Sequence, residues 1–321
     1  MRVKIIIFLI LLFSSIQNTL SQPGDTSREN VVKIDQIFII GNKKTKREII
    51  LREASFSKGD YYVLSELKAN IEKDRNLIYN TNLFNEVKIQ VLETRPDEVD
   101  ILIRVSERWY LYPAPIFKIA DRNLMDWLIN RSGKFNRFNY GLKVDHFNFR
   151  GRNERLTFIG QIGFERRFLL RYAIPYIEPS QRHGLIFDVA YNEREDMPYI
   201  TEDHLPSFIE DDKINRQTFS AAITHSFRPS YYSFHYTTLG FQSGTVSDTI
   251  VSLNPNFFGN GQKSLRNFNI GYIYTFDKRN NRNFPTKGHY LRFDVEKVGL
   301  GIFNEIDLTS LRAIYSRYYE L

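Results

Sequence analysis

The stretch that decides the fold reads Asn267-Phe268-Asn269-Ile270-Gly271-Tyr272-Ile273-Tyr274-Thr275-Phe276-Asp277, and after a polar turn it continues as His289-Tyr290-Leu291-Arg292-Phe293-Asp294-Val295. Apolar side chains occupy every second position in both halves, with Ile273 as the one apolar residue on the polar face. A period of two predicts two β-strands joined by a turn. The apolar face is rich in aromatic residues and the other face carries charges. This favours strands with lipid on one side and water on the other over a soluble sandwich.

The composition agrees with membrane-spanning strands. The chain has 321 residues, of which 15% are aromatic, including 19 Tyr and 26 Phe. An aromatic excess is typical of barrels with girdles at both membrane interfaces. The mean hydropathy of -0.38 does not exclude a membrane, because only every second residue of such a strand faces lipid.

Charge and cysteine usage exclude several classes of protein. The formal net charge is +7, but the basic residues are spread through the turns and not gathered in one run, so we predict no nucleic-acid partner. The chain contains no Cys. A disulfide framework, a Cys-based metal site and a lipid-anchored N-terminus are therefore excluded.

The N-terminus has the pattern of a cleaved secretory signal over residues 1–21. A basic start at Met1 to Lys4 precedes the apolar run Ile5 to Phe13, and Thr19-Leu20-Ser21 forms a small-x-small cleavage site. The alternative is a short membrane anchor, but nine apolar residues are too few to span a bilayer as a helix. Residues 22–31 form a polar linker rich in breakers.

The next segment, residues 32–108, predicts a small α+β domain with the order β-α-α-β-β. A strand runs from Val32 to Ile40, and Thr45 and Glu48 match a capping box at the start of a short helix. The second helix is predicted from its apolar stripe, Leu64, Leu67, Ile71 and Ile78. Two alternating strands then follow, joined by a turn at Arg95-Pro96-Asp97-Glu98.

This segment resembles a polypeptide-transport-associated (POTRA) domain. The resemblance rests on the order and spacing of Ile37-Phe38-Ile39-Ile40-Gly41-Asn42, Gly59, Leu83-Phe84-Asn85-Glu86-Val87 and Val105-Ser106-Glu107-Arg108. The alternative is a small α+β domain with an unrelated role.

From Trp109 to Leu321 the helical period disappears, and we predict the N-terminal part of an antiparallel transmembrane barrel. The predicted strands are 109–119, 139–149, 155–164, 167–176, 184–192, 217–228, 232–245, 266–277, 289–298 and 308–319. Short turns such as Arg150 to Asn153 alternate with long loops at Glu193 to Asn215 and Ser247 to Lys263. Short periplasmic turns and long external loops produce this rhythm in outer-membrane barrels.

The second region resembles the barrel of bacterial surface antigens, the BamA-TamA-type family of outer-membrane protein insertases. The motifs that carry the resemblance are Asn148-Phe149-Arg150-Gly151-Arg152-Asn153-Glu154, Pro175-Tyr176, and a hairpin with Asp277, Arg279, Asn280, Pro285 and Gly288. Asn280 stands where the family pattern has Asp. The chain also lacks the family's Val-Arg-Gly loop motif, and its end, Tyr318-Tyr319-Glu320-Leu321, does not finish on an aromatic residue.

The resemblance implies a protein of the outer membrane, with the POTRA domain in the periplasm, that assists insertion, assembly or translocation of other proteins. Client strands would pair with an exposed POTRA edge at Val87, Ile89 and Val91, and with a barrel seam whose first strand lies near Trp109 to Ile119. The implied partners are nascent outer-membrane or secreted proteins and outer-membrane lipid, with accessory lipoproteins as further candidates. The client proteins and the choice between insertase and exporter stay open.

Two other functions are considered, a passive porin or secretion channel and a barrel-tethered lipase. The lipase is disfavoured because Gly240-Phe241-Gln242-Ser243-Gly244 is one residue off a nucleophile elbow and no helix follows it. The six histidines show no metal spacing. We therefore predict no catalytic residues, no metal and no cofactor, and not an enzyme.

The strand count predicts an incomplete barrel. About ten strands are visible, whereas the resemblance implies about sixteen. We therefore expect a curved sheet whose first and last strands share no hydrogen-bond ladder. A closed ring would instead indicate a small complete barrel and favour the porin-like alternative.

Overall fold

The computed structural model describes residues 30–120, 123–130, 132–133, 135–202, 204–209, 213–303 and 306–319. The predicted signal, all of the linker except residues 30 and 31, and the final Glu320-Leu321 lie outside the described residues. Two sheets dominate the described part of the chain, one of four strands and one of ten.

The first sheet belongs to the predicted α+β domain. Its elements are β1 (Val31–Ile40), α1 (Arg47–Leu51), β2 (Tyr61–Val63), α2 (Leu64–Tyr79), β3 (Phe84–Arg95) and β4 (Glu98–Glu107). The strand order is β2-β1-β4-β3, with β1 parallel to β4 and the other pairs antiparallel. The predicted β-α-α-β-β order is confirmed, and the structure adds the short strand β2.

The core of this domain lies between α2 and one face of the sheet. Leu67 and Ile78 have no exposed surface, and Ile71 is half-buried against the same cluster. Ile101 and Ile103, which alternate along β4, are also fully buried. The predicted apolar stripe of α2 therefore packs on the sheet, and each such aliphatic side chain contributes about 1.5–3 kcal/mol by burial.

The predicted capping box is wrong. The helix begins after Lys46, which makes no side-chain cap, and the Thr45 hydroxyl instead donates to Glu107 Oε1 at 2.6 Å. Thr45 is only 2% exposed. A buried hydroxyl bonds most strongly to a nearby carboxylate, so Glu107 takes the group that would otherwise cap the helix.

The second sheet contains ten antiparallel strands. They are β5 (Leu111–Ile119), β6 (Phe138–Phe149), β7 (Glu154–Gly163), β8 (Glu165–Ile174), β9 (His183–Arg194), β12 (Arg216–Phe227), β13 (Ser233–Val246), β14 (Ser264–Asp277), β15 (Gly288–Val298) and β16 (Leu308–Tyr318). Each boundary lies within two residues of its prediction. Each of these strands pairs with its neighbours in chain order, and β9 pairs with β12 across an inserted hairpin.

The sheet is open, as expected. β5 and β16 are its two edges, and among the described residues each pairs on one side only. A closed ring is therefore not formed by these strands.

The two faces of the sheet separate apolar from polar side chains. Directly opposite cross-strand neighbours form one continuous row, Phe158, Leu170, Val189, Ala221, Phe241 and Phe268. We call this the outer face; Ile270, Tyr272, Tyr274 and Phe276 share it by their alternation along β14. The inner face carries buried polar residues, among them Asp145, Thr157, Gln161, Thr224 and Asp277. The predicted alternation of β14 is thus part of a pattern that crosses the whole sheet.

The long loops hold structure that sequence reasoning missed. They contain the hairpin β10 (Met197–Glu202) and β11 (Leu205–Ile209), the helix α3 (Asp248–Leu253) and a π-helical turn at Asp126–Asn130. Met197, Ile209, Val246 and Ile250 form a small buried cluster between the hairpin and α3. Within the described ranges, none of the helices has the length and apolarity to cross a membrane.

Candidate functional site

The predicted edge strand β3 lies at the end of the four-stranded sheet and pairs only with β4 in the described chain. Val87 is buried, and Ile89 and Val91 are half-buried against the domain core. Lys88 and Gln90 are exposed on the opposite face. The side chains of the three predicted site residues therefore point inward, and β3 offers its main chain at the free edge.

Irregularities bound this edge at both ends. The β3–β4 register shifts between Phe84 and Glu86 and again between Glu93 and Arg95. Bulges bend a strand and interrupt pairing, which protects natural edges from unwanted partners. The stretch from Glu86 to Glu93 keeps a regular register with β4 and is the flat part of the edge.

The edges of the larger sheet differ from each other. β5 carries Pro113 and Pro115 within a continuous ladder to β6. Proline has no N–H to donate and is tolerated where its nitrogen faces the free side of an edge strand. The free edge of β5 thus lacks two donors, whereas β16 contains no proline.

The predicted hairpin between β14 and β15 is held by its own side chains. Asp277 is 7% exposed and accepts hydrogen bonds from Arg279 Nε at 2.7 Å and Arg279 Nη2 at 2.8 Å. Arg282 Nε lies 3.2 Å from the second carboxylate oxygen of Asp277. Burial lowers the pKa of Arg282 from its ordinary value, although Asp277 opposes the shift. Two guanidinium groups therefore hold one buried carboxylate at the base of the turn.

Asn280 and Gly288 close the same turn. Asn280 Oδ1 accepts from the backbone N–H groups of Thr286 and Lys287 at 3.2 and 3.1 Å. An Asp could accept the same two bonds, so the departure from the family pattern preserves the turn. Gly288 has a φ of +108°, and a Cβ there would lie 2.1 Å from the carbonyl oxygen of Lys278. Only glycine fits this position without strain. Pro285 lies in the same turn, between Asn280 and Gly288.

The hairpin contacts the end of α2, which sequence reasoning did not anticipate. Asn80 Nδ2 donates to the Asn280 carbonyl at 3.2 Å, and the Arg282 N–H donates to Asn80 Oδ1 at 3.2 Å. Asn82 Oδ1 accepts from Asn283 Nδ2 at 2.9 Å. The small domain therefore binds the turn that the family motif defines.

A second contact joins the small domain to the turn after β12. Arg228 donates two hydrogen bonds to Glu53, which is 2% exposed. Tyr231 in the same turn donates its hydroxyl to the Ala54 carbonyl at 2.8 Å. Burial alone would lower the pKa of Arg228, but the Glu53 carboxylate raises it above its ordinary value. Arg228 therefore stays charged in this buried position.

A third contact involves the turn after β6. Asn148 Nδ2 donates to Thr45 Oγ1 at 2.9 Å, and Tyr110 shares a 3.0 Å hydrogen bond with the same hydroxyl. Gly151, at a φ of +74°, approaches so closely that a Cβ would lie 2.1 Å from the Lys44 carbonyl oxygen. The glycine of the predicted Asn148 to Glu154 motif thus permits the approach of the two domains.

These contacts enclose a cavity of about 200 Å³ at the junction. It is lined by residues of both domains, including Glu53, Asn80, Tyr176, Arg228, Tyr236 and Arg282. Among the described residues no group of three His, Asp or Glu side chains could hold a metal ion. The junction therefore consists of direct hydrogen bonds and an ion pair between the two domains.

Comparison with known proteins identifies both regions. The Omp85 superfamily domain matches residues 148–321, more than half of the chain, and the surface antigen variable number repeat, a POTRA domain, matches residues 32–108. The outer membrane protein assembly factor BamA of Nitratidesulfovibrio vulgaris is 30% identical over 78 residues, which cover 24% of this chain and 9% of that protein.

Solved structures with a similar chain trace include BamA from Haemophilus ducreyi lacking POTRA domains 1–3. Its TM-score is 0.48 and its sequence identity is 16%, and the match covers 85% of this chain and 49% of that one. CdiB from Escherichia coli has a TM-score of 0.47 and 11% identity over 89% of this chain and 51% of that one. The chain thus spans about half the length of these structures.

The match over residues 148–321 and the POTRA match before it place the two regions in the order that the sequence motifs indicate. The POTRA domain lies in the periplasm, so the turns that it contacts mark the periplasmic end of the larger sheet. The chain belongs to the Omp85 superfamily of outer-membrane proteins and carries one POTRA domain.

Proposed function

We propose that this protein assists the insertion, assembly or translocation of other outer-membrane or secreted proteins without enzymatic chemistry. Client strands add to the free edge of β3 in the POTRA domain and to an open edge of the barrel sheet. The observation that carries the proposal is the unpaired, regular stretch of β3 between its two bulges. Family membership supports the general role, as does the similarity to BamA, an outer membrane protein assembly factor.

Strand addition explains how one edge serves many clients. Main-chain N–H and C=O groups supply the affinity, and these groups are the same in every sequence. Since Val87, Ile89 and Val91 face the core, the solvent-facing side chains of β3 beside an added strand are those of Lys88 and Gln90. An exposed, polar flank of this kind imposes little selection on the client.

The barrel edge at β5 suits transient pairing. Its two prolines remove donors from the free side, so a partner strand there forms fewer hydrogen bonds than at a complete edge. A seam of this kind opens at lower cost than an ordinary strand pair. We propose that β5 forms the weak side of the seam that admits client strands.

The partners in this account are unfolded outer-membrane or secreted polypeptides, outer-membrane lipid and accessory lipoproteins. A passive porin or secretion channel is the alternative. Membership of the Omp85 superfamily and the similarity to BamA, an outer membrane protein assembly factor, support the insertase or translocase function.

Site-specific photo-crosslinking tests the edge. Gln90 on β3, Leu102 on β4 and Phe38 on β1 are cross-strand neighbours in one row of the POTRA sheet. Phe38 is 48% exposed but lies on an inner strand. A photoreactive amino acid at position 90 should therefore crosslink to an unfolded outer-membrane protein, and the same group at position 38 should not.

The matched pair separates edge binding from binding to the sheet face. Equal crosslinking at both positions would show that clients contact the face and would refute strand addition. Crosslinking at neither position would also count against β3. A client whose paired segment contains prolines should lose the position 90 crosslink, because proline cannot complete the ladder.

A further inference from the structure

Five of the six histidines lie on the outer face of the barrel sheet close to its periplasmic end. They are His146, His183, His225, His235 and His289, and we call them the histidine collar. Each is within three residues of the end of its strand that meets a periplasmic turn. The sixth, His204, lies in the turn between β10 and β11 at the opposite end of the sheet.

Two of the collar rings, His183 and His235, form a continuous row with two aromatic rings. His183, Phe227, His235 and Tyr274 are directly opposite one another on four successive strands. Their ring centroids are separated by 4.7, 5.8 and 5.0 Å in that order. His289 stacks on Phe276 at 5.4 Å. The histidines therefore occupy places in the aromatic girdle that barrels carry at a membrane interface.

Polar contacts link the collar rings to each other and to tyrosine. His183 Nδ1 and His225 Nε2 are 2.9 Å apart, a hydrogen bond in which one ring donates and the other accepts. His235 Nδ1 lies 2.7 Å from the Tyr272 hydroxyl. If both rings of the His183–His225 pair were protonated, both would be donors. An anion that accepts a hydrogen bond from each ring would then offset the repulsion between the two positive charges.

Few charged groups face the collar. The Glu178 carboxylate is 3.8 Å from His183, and Arg317 on β16 is directly opposite His289. Near His146, the Glu154 carboxylate is engaged by Arg150 and by the Tyr172 hydroxyl. Lys278 is opposite His289 on the other side, where its backbone N–H donates to the His289 carbonyl. The remaining direct cross-strand neighbours are apolar, aromatic or uncharged polar residues, namely Leu111, Leu156, Leu185, Phe227, Thr237 and Tyr274. Protonation of the collar would therefore leave a net positive band.

We propose that the histidine collar binds the headgroups of anionic phospholipids in the periplasmic leaflet and holds them more tightly as the pH falls. Histidine is the side chain whose charge ordinarily changes between pH 5 and 8. A positive charge close to an anionic membrane surface gains about 1 kcal/mol, or about fivefold in binding. Several protonated rings at the same end of the sheet would add their contributions against a lipid layer.

Lipid retention by the purified full-length chain tests this proposal. The protein is held in dodecyl maltoside micelles containing EDTA and either dioleoyl phosphatidylglycerol or dioleoyl phosphatidylcholine, and the phospholipid that co-elutes with it is measured. Retained phosphatidylglycerol should be at least about fivefold higher at pH 5.5 than at pH 8.0. Retained phosphatidylcholine should not change with pH.

Two variants assign the effect to the collar. Replacing all five collar histidines by Gln should abolish the pH dependence, whereas His204→Gln should leave it intact. If the variant with all five substitutions does not fold, as judged by its circular dichroism, the double variant His225→Gln with His289→Gln takes its place. Its ratio of phosphatidylglycerol retained at pH 5.5 to that retained at pH 8.0 should be lower than in wild type. A wild-type ratio in the folded collar variant, or the same ratio with phosphatidylcholine, would overturn the proposal.

Discussion

Arg228, directly after β12, donates from Nη1 to Glu53 Oε1 at 2.5 Å and from Nη2 to Glu53 Oε2 at 2.8 Å, joining the barrel to the POTRA domain. Both side chains are almost completely buried. Removing one member of a buried ion pair leaves an uncompensated charge, which costs about 3–5 kcal/mol. Glu53→Gln should therefore loosen the junction.

Hydrogen exchange measures this loosening. Amides in α1 and in the turn after β12 should exchange faster in Glu53→Gln than in wild type. Glu48→Gln, an exposed change on α1 itself, is the control and should have no effect. Unchanged protection in Glu53→Gln would mean that the junction does not depend on this pair.

The POTRA core depends on Leu67, which has no exposed surface. Leu67→Asp removes about 1.5–3 kcal/mol of burial and places a carboxylate among apolar side chains. Limited proteolysis of the full chain in micelles should then cut within the POTRA domain while the barrel sheet stays resistant. Ala69→Asp introduces the same group at an exposed position of α2 and should be resistant throughout; equal cleavage of the two variants would count against this packing.

Alternation and spacing were enough to predict most of this fold. The apolar positions of β14 and the stripe of α2 each identify their element, since a local period reports which face is buried. The hairpin residues Asp277 and Gly288 were also found, because their turn has a recognisable motif.

The junction could not be predicted in the same way. Glu53 and Arg228 are 175 residues apart, and no local pattern in one sequence pairs them. Thr45 was assigned to a helix cap because the capping box is a local rule, whereas its actual partner, Glu107, comes from another strand. The alternation along β3 follows from the sequence, but the inward direction of Val87 and the groups that remain free at the edge required the packing and the sheet order.

Asp74 makes the POTRA domain sensitive to pH. It is fully buried, and Oδ1 has no hydrogen-bond partner among the described residues. Burial raises the pKa of the Asp74 carboxyl above its ordinary value, while hydrogen bonds from Ser55 oppose the shift. Between the unfolded and folded pKa values the folded state binds more protons, so this group lowers stability as the pH rises through that window.

Asp74→Asn removes this charge. Stability at pH 7 should rise by about 1–3 kcal/mol, because the neutral amide avoids burying a charge, and the fall in stability above pH 4 should become shallower. Hydrogen exchange of the slowest POTRA amides, measured at pH 4.5 and at pH 7, reports both the stability at pH 7 and its change with pH. Glu66→Gln on the exposed side of α2 should change neither; a destabilised Asp74→Asn would show that the carboxylate is compensated.

The outer face should be lipid-facing near Ile270, which lies at the middle of β14 and is 45% exposed. Arg on a lipid face near the midplane costs about 2–4 kcal/mol. Ile270→Arg should reduce the folded protein recovered in outer membranes. Gly271→Arg, whose side chain would start on the inner face near Glu296, should have a smaller effect. The reverse ranking would mean that the faces are exchanged.

The hairpin requires glycine at position 288. In Gly288→Ala the residue has a left-handed φ, and its Cβ would lie 2.1 Å from the Lys278 carbonyl oxygen. The loss of folding stability should therefore exceed the roughly 1–3 kcal/mol of backbone strain alone. Gly261→Ala has a φ of +69° but open space around its Cβ, so it isolates the strain. The urea midpoint of unfolding should be lower for Gly288→Ala than for Gly261→Ala. Equal midpoints would show that the turn adjusts to the added methyl group.

The central claim is that this protein acts on other outer-membrane or secreted proteins. Depleting it in the bacterium that produces it, followed by quantitative proteomics of the outer membrane and periplasm, tests this most directly. We predict that other β-barrel or secreted proteins fall in abundance, with unfolded forms accumulating in the periplasm, and that the wild-type gene restores them. An unchanged proteome, together with steady ion conductance by the purified protein, would contradict the account and favour a passive channel.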